Sequence, residues 1–160
     1  MKHLIPAFIL ATALGLAGCA APGAPPAGIA PSTKARMASL AQTVLARGGQ
    51  ASQLFFVEIP GTRDALADML ATGLVNTGSS TNAMDSITEL LQQVPDAHVV
   101  IHGTSDRLTA ASVRVVLRQY RAPSARPLLW VALSSPGDYE AGLHAAADTA
   151  KIRLEVIEAP

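Results

Sequence analysis

Short apolar runs alternate with segments whose apolar positions recur at helical spacing, from residue 54 to the last residues of the chain. Uninterrupted apolar runs of about six residues suit strands that are buried on both faces. The runs predict four strands, over 54–59, 97–102, 128–133 and 152–157. The intervening segments and one earlier segment predict helices over 32–47, 62–73, 83–94, 106–121 and 136–150. Such alternation on short connections is typical of a parallel sheet with helices on both faces.

The pattern therefore predicts an α/β domain with a small, mostly parallel four-stranded sheet. The third strand is apolar throughout, which favours an inner position. The last strand alternates apolar with charged residues, and the second places His98 and His102 on one side, so both suit the edges of a sheet. We accordingly predict the strand order 2-1-3-4. This order resembles half of a flavodoxin-type sheet and implies a flavodoxin- or Rossmann-like three-layer sandwich.

Small polar residues follow each of the first three predicted strands. In an open parallel sheet, ligands bind beyond the carboxyl ends of the strands, where the strand order reverses. Free N–H groups at helix N-termini attract phosphates and carboxylates there. The candidate ligand-binding residues are Gly61, Thr62, Gly103, Thr104, Ser105, Ser134 and Ser135. The same residue types are also ordinary helix caps, and we favour capping because nearby aspartates would repel an anion.

His102 is the best-placed candidate general base, since it ends the second predicted strand. Asp106 or Asp64 could orient its ring, and Ser135 is a weak candidate nucleophile. The chain has no Gly-x-Ser-x-Gly elbow, no Gly-x-Gly-x-x-Gly fingerprint and no phosphate-binding loop with its lysine. His98 and His102 would lie about 13 Å apart on a strand, too far to share a metal ion. We therefore expect no cofactor and no metal, and an enzyme is the less favoured class.

A row of arginines occupies one narrow band of the predicted helix over 106–121. Its members are Arg107, Arg114, Arg118 and Arg121. Guanidinium groups pair carboxylates and phosphates with two parallel hydrogen bonds. The row is therefore either a surface for an acidic partner or an ordinary solvated face.

The first residues of the chain have the layout of a secretory signal peptide. A basic start precedes an apolar run over 4–16, which is shorter than the roughly 20 residues of a membrane span. The run ends in Leu16-Ala17-Gly18-Cys19, which resembles a bacterial lipobox. The resemblance implies that Cys19 receives diacylglycerol and that the chain is cut before it. Ala20 stands where that family carries Asp for inner-membrane retention, which implies the outer membrane, facing the periplasm.

Ordinary secretion with a free thiol is the alternative for this segment. Cys19 is the only cysteine, however, and an unpaired cysteine is a liability in an oxidising compartment. We therefore predict a signal peptide over 1–18, a lipidated cysteine with an Ala/Pro/Gly tether over 19–31, and one domain over 32–160.

The net charge argues against one class of protein, those that bind nucleic acids. Twelve basic and twelve acidic residues give a formal net charge of zero, so the basic excess of nucleic-acid-binding proteins is missing. Together these features predict a lipoprotein that binds the membrane through Cys19 and acts as a binding or assembly module with protein partners of the cell envelope, as in a secretion or pilus machine. The alternative is a periplasmic small-ligand receptor or hydrolase that uses the crevice at the strand ends.

Overall fold

The computed structural model describes residues 31–62, 64–94, 96–120 and 127–160. In chain order the elements are α1 (Pro31–Ala46), β1 (Leu54–Ile59), α2 (Ala65–Asn76), α3 (Asn82–Gln93), β2 (His98–Gly103), α4 (Asp106–Gln119), β3 (Leu128–Leu133), α5 (Glu140–Ala150) and β4 (Arg153–Glu158). All four strands lie within one residue of their predicted bounds, and the α/β class is confirmed. Over the described ranges, every helix is too short or too polar to cross a bilayer. The predicted signal peptide and nearly all of the predicted tether lie outside these ranges.

The four strands form one all-parallel sheet in the order β1-β2-β3-β4. The predicted order 2-1-3-4 is therefore wrong. β4 is an edge strand as expected, but β2 lies inside the sheet, between β1 and β3. His98 and His102 suggested an edge because polar side chains usually face water. Both are instead buried on the face that α1 covers.

The strand order decides where the helices lie. Each connection leads to the next strand in the same direction, so right-handed crossovers place every connecting helix on one face of the sheet. Helices α2 to α5 are those connections, whereas α1 precedes β1 and packs on the opposite face. Helices thus cover both faces, as predicted, but they are divided four to one.

Alternate residues of the strands feed two separate cores. Val99, Ile101 and Val131 belong to the larger core, beneath α3, α4 and α5. Trp130 and Val100 belong to the smaller core, which Leu40 and Val44 of α1 complete. Leu40 and Val44 of α1 are fully buried against the sheet, so these two side chains hold α1 in place.

Helix α4 is the centre of the larger core. Six consecutive residues, 108–113, are all buried, which means that no face of this part of α4 meets water. The sheet, α2, α3 and α5 all pack against it. Alanine at positions 110 and 111 allows these neighbours to approach closely.

Helix α2 packs chiefly on α4, and it does so with its less apolar side. Ala71, Thr72 and Val75 face inward, and the buried hydroxyls of Thr72 and of Ser112 on α4 find no hydrogen-bond partner among the described residues. The opposite side, which we call the α2 stripe, consists of Leu66, Met69, Leu70, Gly73 and Leu74. Its four large side chains are 66%, 56%, 63% and 61% exposed. Their helical spacing would ordinarily indicate a core-facing side.

A buried polar pair lies in the smaller core, beneath α1. The indole Nε1–H of Trp130 donates to Nδ1 of His98 at 3.3 Å, and the two rings stack with their centroids 6.2 Å apart. Burial lowers the pKa of His98, and Arg153 lowers it further while Asp96 acts in the opposite direction. The hydrogen bond needs an unprotonated Nδ1, so the neutral ring is the form that fits this core.

The hydrogen bond between Trp130 and His98 predicts that the folded protein loses stability in acid. The pKa of His98 is lower in the folded chain than its ordinary value of 6.5, so below that pH the unfolded chain binds more protons. The contribution of His98 is therefore complete above about pH 6.5 and is lost as the pH falls through the folded pKa. The urea midpoint should fall between pH 7.5 and pH 5.5, and His98→Gln should make that fall smaller. His144→Gln is the matched control, because His144 is 44% exposed on α5. An equal fall in the His98→Gln variant would contradict the assignment.

Candidate functional site

The loops that follow β1, β2 and β3 lie side by side at the carboxyl edge of the sheet. The second and third of these loops, together with α2, border a cavity of about 450 Å³, which we call the strand-end cavity. Its lining residues are Ala65, Asp68, Met69, Thr104, Ser105, Asp106, Arg107, Ser134 and Tyr139. The structure thus brings together predicted candidates from the second and third loops, and α2 supplies further residues.

Asp68 of α2 joins the first two loops. Its Oδ2 accepts a hydrogen bond from the Ser105 hydroxyl at 2.8 Å, and its Oδ1 accepts one from the Thr62 hydroxyl at 3.4 Å. The Ser105 oxygen also accepts the backbone N–H of Leu108 at 3.2 Å and so caps α4. The predicted capping role of these residue types is therefore visible at Ser105. Both oxygens of Asp68 are engaged inside the protein.

Asp106 joins the second loop to the third. Its two carboxylate oxygens accept the backbone N–H groups of Ser134 and Ser135, at 2.9 and 2.8 Å. Consecutive backbone N–H groups of this kind are what an anionic ligand binds. Here the carboxylate of the protein occupies that position, so a phosphate or carboxylate ligand would have to displace it against its charge.

Close packing inside the fold explains both candidate glycines, Gly61 and Gly103. A Cβ at Gly61 would overlap the hydroxyl of Thr104 in the neighbouring loop. A Cβ at Gly103 would overlap the hydroxyl of Thr109 and lie 2.8 Å from the Ile59 carbonyl oxygen. Gly61 therefore lets two adjacent loops pack together, and Gly103 lets the end of β2 pack against β1 and α4, so neither glycine needs a ligand to explain it.

The strand order explains why these loops are in contact. A binding crevice forms where two neighbouring loops lead to helices on opposite faces of the sheet, which requires the strand order to reverse. In the order β1-β2-β3-β4 there is no reversal, so all three loops lead to the same face. Neighbouring loops consequently hydrogen-bond to one another, as Asp68 and Asp106 show.

His102 lies on the other side of the sheet from α4. It is 2% exposed, beneath α1, and it neighbours Glu58 across the β1–β2 pair. Burial lowers the pKa of His102, the Glu58 carboxylate opposes that effect, and Arg36 of α1 adds to it. Its Nδ1 has no hydrogen-bond partner in the described part of the chain.

The structure does not bring the three catalytic candidates together. His102 is buried under α1, and Asp106 is bonded to the backbone of the third loop, whereas Ser135 is exposed. The other candidate orienter, Asp64, caps α2 by accepting the Ala67 N–H at 2.8 Å. No residue pair among these has the contact that a base and its orienting carboxylate require.

The predicted arginine row follows one side of α4 only in part. Arg107 and Arg118 are exposed, and Arg107 lines the strand-end cavity. Arg114 is half-buried and packs over Gly142 of α5. Neither Arg107 nor Arg114 forms an ion pair with another described residue. Arg121 lies outside the described ranges, as does Cys19.

Sequence reasoning missed Asp68. Its signal was available, because Asp68, Thr72 and Val75 recur at helical spacing and form the side of α2 that packs inward. That side is less apolar than the α2 stripe, so helical periodicity alone points to the opposite side of the helix.

Comparison with known proteins identifies no relative of this chain. The chain matches no family model, no curated protein and no solved structure. Over residues 31–62, 64–94, 96–120 and 127–160, no three His, Cys, Asp or Glu side chains are grouped so that they could hold a metal ion. The chemistry of the site must therefore be argued from its own residues.

The Asp106 contacts predict a structural role that can be measured. Asp106→Ala should lower the free energy of unfolding by about 2 kcal/mol, since hydrogen bonds to a charged group contribute about 1.5–3 kcal/mol and these are partly exposed. Urea denaturation at pH 7 is the measurement. Asp138→Ala is the control, because Asp138 is an exposed carboxylate in the following turn and should change stability by less than about 0.5 kcal/mol. Equal effects of the two substitutions would refute the role.

Proposed function

We propose that this protein is an outer-membrane lipoprotein, facing the periplasm, whose α/β domain is a binding or assembly module of an envelope machine. The observation that carries the proposal is Cys19. It is the only cysteine of the chain, and it ends the segment Leu16-Ala17-Gly18-Cys19 directly after a short apolar run. Several acyl chains on one residue hold a protein stably on a membrane, whereas one chain does not.

The site geometry supports binding over catalysis. The carboxylates of the strand-end cavity each have both oxygens engaged in contacts between loops. His102 is separated from Asp106 and Ser135 by the sheet. The alternative, a receptor or hydrolase at the strand ends, has the cavity in its favour, but its candidate base His102 is buried beneath α1 and its candidate carboxylate Asp106 is bonded to the backbone of the third loop.

The exposed arginines of α4 are the surface we propose for a protein partner. Arg107 lacks an ion pair with the described residues, so its guanidinium is available to a carboxylate of a partner. Arg118 lies eleven residues later on the same side of α4 and is also exposed. An acidic protein surface is the partner that two exposed positive charges on one side of a helix would attract.

Replacing the cysteine tests the anchor. Cys19→Ser removes the thiol that would carry the lipid, so the protein should no longer be processed to the lipidated form. Metabolic labelling with a fatty-acid analogue measures this directly, with Ser52→Cys added to Cys19→Ser as a control for any accessible thiol. Label that persists in the Cys19→Ser chain would refute the anchor.

Charge reversal tests the partner surface. Arg107→Glu with Arg118→Glu should reduce at least tenfold the envelope proteins that co-purify after cross-linking in intact cells, because like charges would then face the acidic partner. Lys34→Glu with Arg47→Glu is the matched control. It makes the same charge change at two exposed positions, one in α1 and one directly after it. Unchanged recovery with the α4 variant would reject this surface.

A further inference from the structure

The α2 stripe is an apolar surface that the protein leaves uncovered. Its four large side chains are 56–66% exposed and adjoin one another along one side of a twelve-residue helix. Together they present on the order of 500 Å² of apolar surface, within the range of the largest patches on monomeric proteins, which often mark binding sites. From the stripe we infer that α2 pairs with α2 of a second copy of this chain, in an antiparallel two-fold arrangement.

The inward side of α2 shows that the exposure is specific. That side carries Ala71, Thr72 and Val75, and no residue in the described ranges hydrogen-bonds the buried hydroxyls of Thr72 and Ser112. If α2 were turned so that its leucines faced α4, more apolar surface would be buried and the hydroxyl of Thr72 would be exposed to water. The fold instead keeps the leucines outside, which suits a surface that is covered by another molecule.

The charges near the stripe favour a second copy. Between residues 65 and 76 the only charged residue is Asp68, and it points inward to Ser105 and Thr62. Two stripes can therefore meet without bringing like charges together. A bilayer surface fits less well, because helices that bind lipid headgroups carry lysine or arginine beside the apolar side, and α2 has none.

Gly73 gives the stripe a shape that complements itself. A Cβ at Gly73 would meet nothing within 4 Å in the described part of the chain, so no contact there requires glycine in the interior of this helix. In an antiparallel pair, Leu70 of each copy can lie over Gly73 of the other, and Met69 can lie beside Leu74. One surface then provides both the protruding side chain and the hollow, as a two-fold interface requires.

The apolar area buried between the two α2 stripes determines how strongly the two copies associate. Two stripes together bury about 1,000 Å², which is the lower limit for a specific interface. The dimer is therefore weak and depends on concentration. Confinement of the chain to a membrane, if the proposed function holds, would raise the effective concentration.

Cysteine cross-linking of the full chain in cells tests the pair. Leu70→Cys places one thiol on each side of the two-fold axis, about 4.5 Å apart along the helices, so a short bis-maleimide should give at least tenfold more cross-linked dimer than with Leu45→Cys. Leu45 is the matched control because it is also an exposed leucine in a helix, 41% exposed on α1. The parent chain measures any cross-linking through Cys19, and this background is subtracted.

A second substitution separates pairing from chance collision. Leu74→Glu, added to Leu70→Cys, should reduce the dimer at least tenfold, whereas Ser86→Glu at an exposed position of α3 should leave it unchanged. Protease resistance of each variant checks that the domain is folded. Equal dimer from Leu70→Cys and Leu45→Cys, or dimer that survives Leu74→Glu, would overturn the inference. So would a thiol at position 70 that forms no dimer but is shielded from a water-soluble maleimide, because lipid or another protein would then cover the stripe.

Discussion

The enclosure of α4 is the interaction on which the rest of this fold depends. Its buried residues include Leu108, Val113, Val115, Val116 and Leu117. Burial of a large aliphatic side chain contributes about 1.5–3 kcal/mol, so these five contribute about 10 kcal/mol, a sum as large as the net stability of a typical domain. Helix α4 can be enclosed only because the sheet lies on one side and α2, α3 and α5 supply the others. The successive strand order provides this arrangement by directing every connecting helix to one face.

The same order limits the chemistry of the strand ends. Because no two neighbouring loops diverge, their polar groups satisfy one another, and Asp106 occupies the backbone N–H groups that an anion would bind. Residues that suggest a ligand site in the sequence thus form a network that joins loops. Within the described residues, the exterior of α2 and Arg107 at the start of α4 are exposed, and they support the binding to another protein that we propose.

The sequence predicts the elements of this fold better than their arrangement. Strand bounds are predictable because apolar runs such as 128–133 stand between polar segments, and the edge position of β4 follows from its alternation. The position of β2 is not predictable from its histidines, since only α1, packed through Leu40 and Val44, makes a buried site for them. The outward side of α2 is missed for a related reason. Helical periodicity identifies an apolar side, but the neighbours of the helix decide whether that side is covered.

For the candidate site, likewise, the residue types are predictable from the sequence but their contacts are not. The serines, threonines and glycines at the strand ends are predictable as loop residues, and the structure places most of them at one edge of the sheet. Their partners are not predictable, because Asp68 reaches Ser105 across 37 positions of sequence and only the folded chain brings them together. The separation of His102 from Asp106 likewise depends on which face of β2 the imidazole occupies.

The most direct test of this account is a nuclear Overhauser measurement on the single tryptophan. The indole N–H of Trp130 gives one resonance at the boundary between β2, β3 and α1. With β2 beside β3 and α1 covering them, this proton should show strong cross-peaks to the ring of His98 and should lie near the methyl groups of the α1 core residues. Absence of the His98 cross-peaks, together with backbone cross-peaks between β1 and β3, would contradict the strand order and everything derived from it.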